Sequence, residues 1–581
     1  MQTLQKLRAL RPYLRPYRRA YLEGIILIVL SVPVLALNPL ILKEAVDILK
    51  SGVGTEAIPY LAALFVALML WRGFLMFRGR FRVIASSRRV ERDLRNEVFE
   101  HLSRLPVGFF DRHRTGDITS RVINDVEGVR QMAGFAPIIV ANVGILFVLA
   151  LVAMFALDAT LALFALIPLA LVSGVVALTE KPLHDQSLKI QDKLGEVSNL
   201  AQDAFMGIRV IKGFAREEPE VERFREECGA YRRMNVRFSV LRGGTEAGTA
   251  FLATSCVFVT LLVGGAAVHE GRITLGTFMA FTAYQLMLIF PAMAIGWLLL
   301  IVQRGAACLD RLQEYLDVKP EPGEGDGDVP IEGGIEIRGL TFRYREDSPA
   351  SLENVSLKIP RGSRVAIVGR VGSGKTTLMN VLLRLYPVPD GTVYLDGRDI
   401  NTIPVQAVRK AVACVPQDNF LFSDTIRENV RFGSLNGLSS EEMVRACLVG
   451  QIHSDIEGFP ERYEQVIGER GITLSGGQKQ RLSIARAFVR NPRVIILDDA
   501  FSSVDAETER EVLKRLREEA EGRTIILITH RLSSVREMDV IAVLDEGRLV
   551  EAGPHDLLMA KKGTYAALYD RFVATRELME L

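Results

Sequence analysis

Cysteine is scarce in this sequence, and net charge is almost absent. Five cysteines are scattered through 581 residues without C-x-x-C spacing, at Cys228, Cys256, Cys308, Cys414 and Cys447. This pattern argues against a disulfide framework and against a zinc site. The 71 lysines and arginines nearly balance the 69 acidic residues, which leaves a net charge of +2 and no electrostatic support for a nucleic-acid partner. We expect a reduced protein that faces the cytoplasm and binds no nucleic acid.

Long apolar runs fill the first half of the chain. A helix needs about 20 apolar residues to cross a hydrocarbon core about 30 Å thick. Six segments meet this length: 21–42, 58–77, 134–157, 160–178, 245–268 and 275–303. Buried helices of a soluble domain are the alternative, but runs such as GILFVLALVAMFAL lack the polar face that such helices carry. The sequence predicts that residues 1–320 form a membrane α-helical bundle with six transmembrane helices.

The positions of the basic residues predict the orientation of these spans. The segment before the first span contains no acidic residue and six basic ones: Lys6, Arg8, Arg11, Arg15, Arg18 and Arg19. Positively charged segments beside spans stay in the cytoplasm. We therefore expect a multi-pass protein of the cell inner (plasma) membrane, with both termini in the cytoplasm.

The connections after the second and fourth spans are long, charged and helix-patterned, at about 78–132 and 180–243. We expect spans two to five to continue as helices into the cytoplasm. Pro and Gly residues mark reversals near 109–122 and 206–217. These reversals are natural contacts for a cytoplasmic motor, and the alternative is a pair of solvated helical hairpins.

Four polar side chains lie at membrane depth: Asn38, Asn142, Tyr284 and Gln285. Polar residues there usually face the bundle interior, where they join helices or line a substrate path. Helix joining is the interpretation that we favour for each of them. No substrate site is predicted from these residues.

The composition changes after the sixth span. Residues 321–333 are rich in Pro, Gly and acidic residues, as in a solvated linker. Beyond them, over 334–581, short β-branched runs alternate with amphipathic helices. This alternation predicts an α/β domain with buried parallel strands.

A Gly-rich loop opens this second domain. The motif GRVGSGKT at 369–376 follows the strand RVAIV and precedes an apolar helix. In this order the backbone N–H groups and the helix N-terminus hold phosphates, the lysine reaches the β- and γ-phosphates, and the last hydroxyl binds Mg²⁺. The predicted nucleotide-binding residues of the loop are Gly369, Arg370, Val371, Gly372, Ser373, Gly374, Lys375, Thr376 and Thr377. ATP and Mg²⁺ are the expected ligands.

Two further residues follow apolar strands and point to the same site. Asp498 ends RVIILD and is the predicted second metal ligand beside Thr376. His530 follows TIILIT, and ligand sites of α/β sheets gather at this edge. A structural role for a lone histidine is the alternative, and position alone favours that alternative.

A second motif makes the resemblance specific. LSGGQ, formed by Leu474, Ser475, Gly476, Gly477 and Gln478, runs through KQRLSIARAFVRNP into RVIILDD. This arrangement resembles the signature motif and metal-binding strand of ATP-binding-cassette (ABC) proteins. Six spans ahead of one cassette resemble the half-transporters among the exporters of this family. The predicted fold is therefore a helical membrane bundle fused to an α/β P-loop cassette.

The resemblance implies roles for further residues of the cassette. It implies that Tyr344 stacks on adenine, that Gln417 contacts the metal and takes part in catalysis, and that His530 is a catalytic switch. Ser503 and Asp505 resemble the D-loop, and the two membrane-loop reversals resemble coupling helices. In this family two chains pair, and the signature of one cassette completes the ATP site of the other.

Residue 499 departs from the family pattern. Fast members carry Glu after the metal-binding Asp, whereas this chain has Asp499. The shorter side chain misplaces the catalytic carboxylate by about 1 Å, and such a misplacement can cost about 10²-fold in rate. The site on this chain's own P-loop is thus expected to bind ATP and hydrolyse it slowly.

The intact signature predicts a different, Glu-containing partner chain. The pattern is similar to that of the weak-site subunits of heterodimeric multidrug exporters, which implies ATP-driven export of hydrophobic or amphipathic drugs, lipids or peptides. The alternatives are a slow homodimeric exporter, an ATP-binding regulatory subunit that does not pump, and an importer.

Overall fold

The computed structural model describes residues 10–321, 329–435, 437–468, 474–519 and 521–580. The chain divides into two compact units, and each is described by itself. The first comprises Met1–Ser103 and Arg114–Lys319, and the second comprises Arg104–His113 and Pro320–Leu581. Most of the predicted linker, at 322–328, lies outside the described residues, as do Lys6 and Arg8.

The described chain up to the linker consists of helices joined by short connections. Its helices are α1 Arg11–Leu14, α2 Arg18–Ser51, α3 Ile58–Ser103, α4 Val107–Arg112, α5 Thr115–Ser120, α6 Val126–Ile139, α7 Ile145–Leu157, α8 Ala159–Met206, α9 Ile208–Gly213, α10 Glu217–His269 and α11 Leu275–Leu316. Two π-helical turns, Arg121–Asp125 and Val140–Gly144, flank α6. Short helices lie at both predicted reversals. Helices α4 and α5 lie at the first reversal, and α9 lies at the second.

Among the residues that the structure describes, four continuous helical stretches are long and apolar enough to cross a membrane: Arg11–Ser51, Thr55–Ser103, Thr115–Leu157 and Glu217–His269. They contain the first, second, third and fifth predicted spans. The fourth predicted span lies on α8 and the sixth on α11, both of which include residues whose side chains are not described. The total of six spans stays a prediction.

The helix ends have identifiable causes. Helix α2 stops at Gly52, which adopts a left-handed φ of 68° and donates its N–H to Ile48. Helix α8 begins after Asp158, whose carboxylate accepts a hydrogen bond from the N–H of Leu161 at 2.7 Å. A single residue therefore separates α7 from α8, as expected for the short connection between two spans.

Polar side chains within the bundle join helices. Gln285 accepts a hydrogen bond from Thr260 at 2.8 Å and donates one to the carbonyl of Cys256 at 2.8 Å. Tyr284 donates its hydroxyl to the carbonyl of Ala36 at 2.5 Å. These contacts tie α11 to α10 and to α2, which is the role favoured from the sequence for Tyr284 and Gln285.

The second unit contains two sheets and the helices around them. Its strands are β1 Ile335–Phe342, β2 Leu352–Ile359, β3 Arg364–Gly369, β4 Val393–Leu395, β5 Arg398–Asp399, β6 Val412–Val415, β7 Val494–Asp498, β8 Thr524–Ile528, β9 Val540–Asp545 and β10 Arg548–Gly553. Its helices are α12 Lys375–Leu382, α13 Val405–Ala411, α14 Ile426–Arg431, α15 Ser440–Val449, α16 His453–Glu457, α17 Gly476–Val489, α18 Ala506–Glu519, α19 His555–Lys561 and α20 Thr564–Glu580.

The larger sheet has the strand order β10-β9-β3-β8-β7-β6. Strands β9, β3, β8, β7 and β6 run parallel, and β10 closes one edge in the antiparallel sense. Every residue of β7 and of β8 is buried. Along β7, Val494 and Ile496 pack into one apolar core while Ile495 and Leu497 pack into another. Helices on both faces explain why these strands are continuous apolar runs in the sequence.

Helix α4 clusters with this second unit, although its residues lie within the predicted first domain, 1–320. Tyr386 donates its hydroxyl to Asp111 at 2.6 Å, and the N–H of Glu321 bonds the carbonyl of Arg104 at 2.9 Å. These bonds are long-range contacts, which a boundary drawn from composition along the chain does not detect.

Candidate nucleotide-binding site

Four loops converge at the carboxyl edge of the larger sheet. They follow β3, β6, β7 and β8, which are neighbouring parallel strands, and this edge is where α/β sheets place ligands. The loops enclose a cleft of about 620 Å³, lined by Pro349, Ala350, Ser351, Val371, Gly372, Ser373, Gly374, Lys375, Thr376, Thr377, Gln417, Asp498, Asp499, Ile528, His530, Glu546 and Gly547. The structure therefore brings together residues 371–377 of the Gly-rich loop, Gln417, both aspartates and His530, while Gly369 and Arg370 do not line the cleft.

The Gly-rich loop turns sharply into α12. Gly374 is the N-cap of this helix and has a φ of 94°, in the left-handed region that favours glycine. A Cβ atom there would lie 2.6 Å from the carbonyl oxygen of Ser351. The loop thus needs glycine for its conformation and for its close packing. Helix α12 begins at Lys375, so its free N–H groups and positive dipole end face the cleft.

Lys375 is 7% exposed and folds back over the loop. Its Nζ atom donates to the carbonyls of Gly369 at 3.0 Å and Arg370 at 2.7 Å. Burial lowers the pKa of Lys375, and the charges of Asp498 and Asp499 oppose that shift. A phosphate group in the cleft would place negative charge beside this buried ammonium group and so stabilise its charged form.

Thr376 and Asp498 form the predicted metal-binding pair. The Thr376 hydroxyl donates to Oδ2 of Asp498 at 2.9 Å, and Asp498 is 2% exposed. Burial raises the pKa of Asp498. A bound cation would act in the opposite direction and lower this pKa. One hydroxyl and one carboxylate fit Mg²⁺, which keeps several waters and takes further oxygens from phosphates. The donor set therefore agrees with the expected metal.

Asp499 and His530 line the same cleft at the ends of adjacent strands. Asp499 has a φ of 48°, a left-handed conformation that aspartate tolerates better than most residues. Its backbone N–H donates to the carbonyl of Ile528 at 2.8 Å, which ties the end of β7 to the end of β8. Burial, followed by the nearby charge of Lys375, lowers the pKa of His530. A neutral imidazole beside the phosphate position can accept a hydrogen bond as well as donate one.

Tyr344, the predicted adenine contact, lies beside the cleft without lining it. Its hydroxyl donates to Thr377 at 3.2 Å and accepts from Asn380 at 3.2 Å. Its ring packs edge-on against Phe342 and Tyr386, with centroid distances of 5.2 and 4.9 Å. The side chain is 39% exposed.

The signature residues lie outside this cleft. Ser475 caps α17 by accepting the N–H of Gln478 at 3.2 Å, and Gln478 returns a bond to the N–H of Ser475 at 2.9 Å. Both Ser475 and Gly476 are exposed. The N-terminus of α17 is therefore exposed and does not line the cleft, and a helix end of this kind favours anions.

The segment after Asp499 packs against the signature. A Cβ on Gly477 would lie 2.8 Å from the carbonyl oxygen of Ser503. Gln480 donates to Ser502 at 2.6 Å and accepts from the N–H of Ser503 at 2.9 Å. Asp505 accepts the N–H of Thr508 at 2.9 Å, and this bond lowers the pKa of Asp505. Ser503 and Asp505 thus connect the cleft's β7 edge to α17 and α18.

Six cleft residues escaped prediction from the sequence: Pro349, Ala350, Ser351, Ile528, Glu546 and Gly547. Gly547 has a φ of 80° and follows β9 in the turn to β10. The residues DEG signal a hairpin turn, but nothing in the sequence indicates that this turn meets the Gly-rich loop. The meeting depends on the pairing of β9 with β3.

Comparisons with known proteins agree across nearly the whole chain. Residues 21–292 match the family model described as the ABC transporter transmembrane region, and residues 352–502 match the model described as ABC transporter. The second match contains the Gly-rich loop, Gln417, the signature and both aspartates.

Similar proteins and a similar structure match the chain over almost its full length. The chain is 31% identical to the probable multidrug resistance ABC transporter ATP-binding/permease protein YheI of Bacillus subtilis, over 96% of each chain. It is 31% identical to an ATP-dependent lipid A-core flippase of Syntrophus aciditrophicus, over 96% of this chain and 92% of that protein. A bacterial Atm1-family ABC exporter solved with ATP bound superposes with a TM-score of 0.79 at 28% identity, over 95% and 98% of the two chains.

Proposed function

The chain belongs to the ABC transporters, as a half-transporter whose transmembrane region is fused to its ATP-binding domain, and we propose that it exports amphipathic molecules as one subunit of a heterodimer. ATP hydrolysis coupled to transport is the activity of this family. The observation that carries the finer proposal is Asp499, which stands in the cleft directly after the metal-binding Asp498.

The chain's own site is suited to holding ATP. The N-terminus of α12, Lys375 and the loop backbone would bind the phosphates, while Thr376 and Asp498 would hold Mg²⁺. Bound Mg²⁺ would neutralise charge that develops on the transferred phosphoryl group. Asp499 would accept the proton of the attacking water, with Gln417 and His530 beside it. The short side chain of Asp499 reaches less far than glutamate, so hydrolysis here would be slow.

The signature would serve a second chain. Ser475 and the free N–H groups of α17 are exposed and lie outside their own cleft. A nucleotide held by a partner's P-loop supplies the negative charge that this helix end attracts. Two chains would thus sandwich two nucleotides, and this chain would complete a fast site on a partner that carries Glu. Hydrolysis would remove part of the nucleotide's negative charge from between the two ATP-binding domains. These domains would then separate and move the membrane helices.

The substrate class follows from the relatives. Their names describe multidrug resistance, multidrug export and lipid A-core flipping. We infer that the substrate of this chain is a hydrophobic or amphipathic drug, lipid or peptide. The transporter would export this substrate from the cytoplasmic side of the membrane.

Transport assays test this function. The chain would be reconstituted in inside-out vesicles, alone and with each candidate half-transporter from its source, and ATP-dependent accumulation of a fluorescent amphipathic dye measured against an AMP control. Accumulation only with a Glu-containing partner is expected. Accumulation by the chain alone would identify a homodimer, and ATP binding without accumulation in any pairing would identify a regulatory subunit. An absolute need for an external binding protein would identify an importer.

A further inference from the structure

A large groove opens in the membrane unit, and it shares no lining residue with the nucleotide cleft. It measures about 1710 Å³ and is lined by Leu10, Arg11, Pro12, Leu14, Arg15, Arg18, Tyr21, Leu22, Ile25, Val29, Met132, Ala133, Ala136, Pro137, Val140, Ala141, Ile145, Leu298, Leu299 and Val302. Pockets for drug-sized ligands usually measure about 300–1,000 Å³. The groove is therefore large enough for a ligand with long apolar chains.

One end of the groove is positively charged. Arg11, Arg15 and Arg18 line it and are exposed, and no acidic residue is among the lining residues. Within the described part of the chain, none of the three forms an ion pair with an acidic side chain. Three guanidinium groups at one end of an otherwise apolar groove are complementary to an anionic headgroup, and to a phosphate above all.

The tyrosines of the same segment anchor it to α3. Tyr17 donates its hydroxyl to Asp93 at 2.5 Å, and Tyr13 is hydrogen-bonded to Glu97. Arg92 pairs with Asp93 as well, at 2.7 Å. Asp93 is thus engaged by Tyr17 and Arg92, and Glu97 by Tyr13. The arginines at positions 11, 15 and 18 stand on another face of the helical segment, where they remain available to a ligand.

The remaining wall of the groove is apolar. Ile25 and Val29 come from α2, Val140 and Ala136 from the third span, and Leu298, Leu299 and Val302 from α11. Arg18 and Val29 are eleven residues apart on α2, which corresponds to about 16 Å along the helix axis. A ligand with its phosphate at the arginines would therefore lie along apolar wall for the depth of one bilayer leaflet, about 15 Å.

We propose that this groove binds an anionic phospholipid of the cytoplasmic leaflet. The phosphate lies against Arg11, Arg15 and Arg18, and the acyl chains lie along Ile25, Val29 and the walls from α6 and α11. The lipid fixes the N-terminal segment at the membrane surface. This proposal does not depend on the transported substrate or on the asymmetry of the nucleotide sites.

Native mass spectrometry of the purified full-length protein, together with its companion chain where it has one, tests the site. The two probes are dioleoylphosphatidylglycerol and dioleoylphosphatidylcholine, which share acyl chains and differ in net charge. We expect the anionic lipid to bind about 10- to 100-fold more tightly, since each arginine near anionic lipid contributes about fivefold. Equal binding of the two lipids by the native protein would overturn the proposal.

Charge variants show which residues cause the preference for the anionic lipid. The triple variant Arg11→Gln, Arg15→Gln, Arg18→Gln should bring the affinity ratio close to one, whereas lysine at the same three positions should preserve most of it. Arg223→Gln, Arg232→Gln, Arg233→Gln is a matched control, because these exposed arginines of α10 carry the same charge. An equal loss in this control would contradict the assignment.

Val140→Trp tests the apolar wall independently of charge. Val140 is 57% exposed and lines the groove, so the indole ring should occupy space that the acyl chains need. We expect weaker binding of both lipids, with the thermal unfolding temperature kept as a check on folding. Unchanged lipid binding by a folded Val140→Trp protein would place the lipid elsewhere.

Discussion

Two neighbouring aspartates at the end of β7 have different surroundings. Asp498 is buried and accepts the hydroxyl of Thr376 at 2.9 Å, whereas Asp499 is half-buried and tied by its backbone to Ile528. In the proposed function, Asp498 would hold the metal and Asp499 would face the attacking water. At the residue scale, the proposed slow hydrolysis depends on the length of a single side chain.

Thr376→Val should weaken nucleotide binding chiefly in the presence of Mg²⁺. Valine keeps the shape of threonine but removes the hydroxyl that bonds Asp498, and loss of one such interaction costs about 1.5 kcal/mol, or about tenfold in affinity. Titration of a fluorescent ATP analogue with Mg²⁺ and with EDTA measures this difference. An equal loss in EDTA would mean that the hydroxyl does not act through the metal.

Asp499→Glu should speed hydrolysis at this chain's own site by up to about 100-fold, because the longer side chain restores the reach of the catalytic carboxylate. Asp499→Ala should hardly change total turnover of the heterodimer, since the partner's site performs most of it. Single-turnover and steady-state ATPase assays separate the two sites. A large loss of turnover in Asp499→Ala would contradict the slow-site interpretation.

At the scale of elements, α4 lies between membrane helices in sequence and beside the cassette in space. Tyr386 donates to Asp111 of α4 and packs edge-on against Tyr344, whose hydroxyl bonds Thr377 next to the phosphate loop. Burial, strengthened by the bond to Asp111, raises the pKa of Tyr386, so its hydroxyl remains a donor at neutral pH. A continuous set of contacts therefore joins α4 to the start of α12.

Tyr386→Phe should reduce the stimulation of ATPase activity by transported substrate and leave ATP affinity within about twofold. The variant keeps the ring that contacts Tyr344 and removes the bond to Asp111, worth about 1 kcal/mol. Substrate-stimulated and basal ATPase rates measure the effect. Tyr394→Phe, on β4, is a matched control that should change neither rate. An unchanged stimulation in Tyr386→Phe would show that this bond does not transmit the signal.

At the scale of the whole molecule, neither nucleotide site is expected to be complete within one chain. The described P-loop cleft contains no signature residue, and the capped end of α17 is exposed. Ser475 caps the helix there, and in the proposed pairing it would also meet a partner's nucleotide.

Ser475→Asp separates these roles. Aspartate is as good an N-cap as serine, so the cassette should keep its thermal stability. Its negative charge would face the partner's phosphates, and we expect total ATPase activity of the heterodimer to fall at least about tenfold. The equivalent change in the partner's signature should have little effect, because that signature serves the slow site. Equal effects of the two changes would argue for equivalent sites.

The local chemistry of this protein is readable from its sequence. The Gly-rich loop, Asp498, Asp499 and His530 each follow an apolar run, and the ends of parallel strands meet at one edge because hydrogen bonding aligns them. The apolar runs likewise predict membrane helices, because backbone polar groups in lipid must be satisfied within a helix.

Tertiary contacts decided what lies beside those elements. Glu546 and Gly547 enter the cleft because β9 pairs with β3, and α4 joins the cassette through Tyr386. Arg11, Arg15 and Arg18 share a groove with Leu298 and Val302 only because α2 and α11 pack together. Such partners are far apart in the chain, and local patterns carry no information about which of many compatible surfaces will pair.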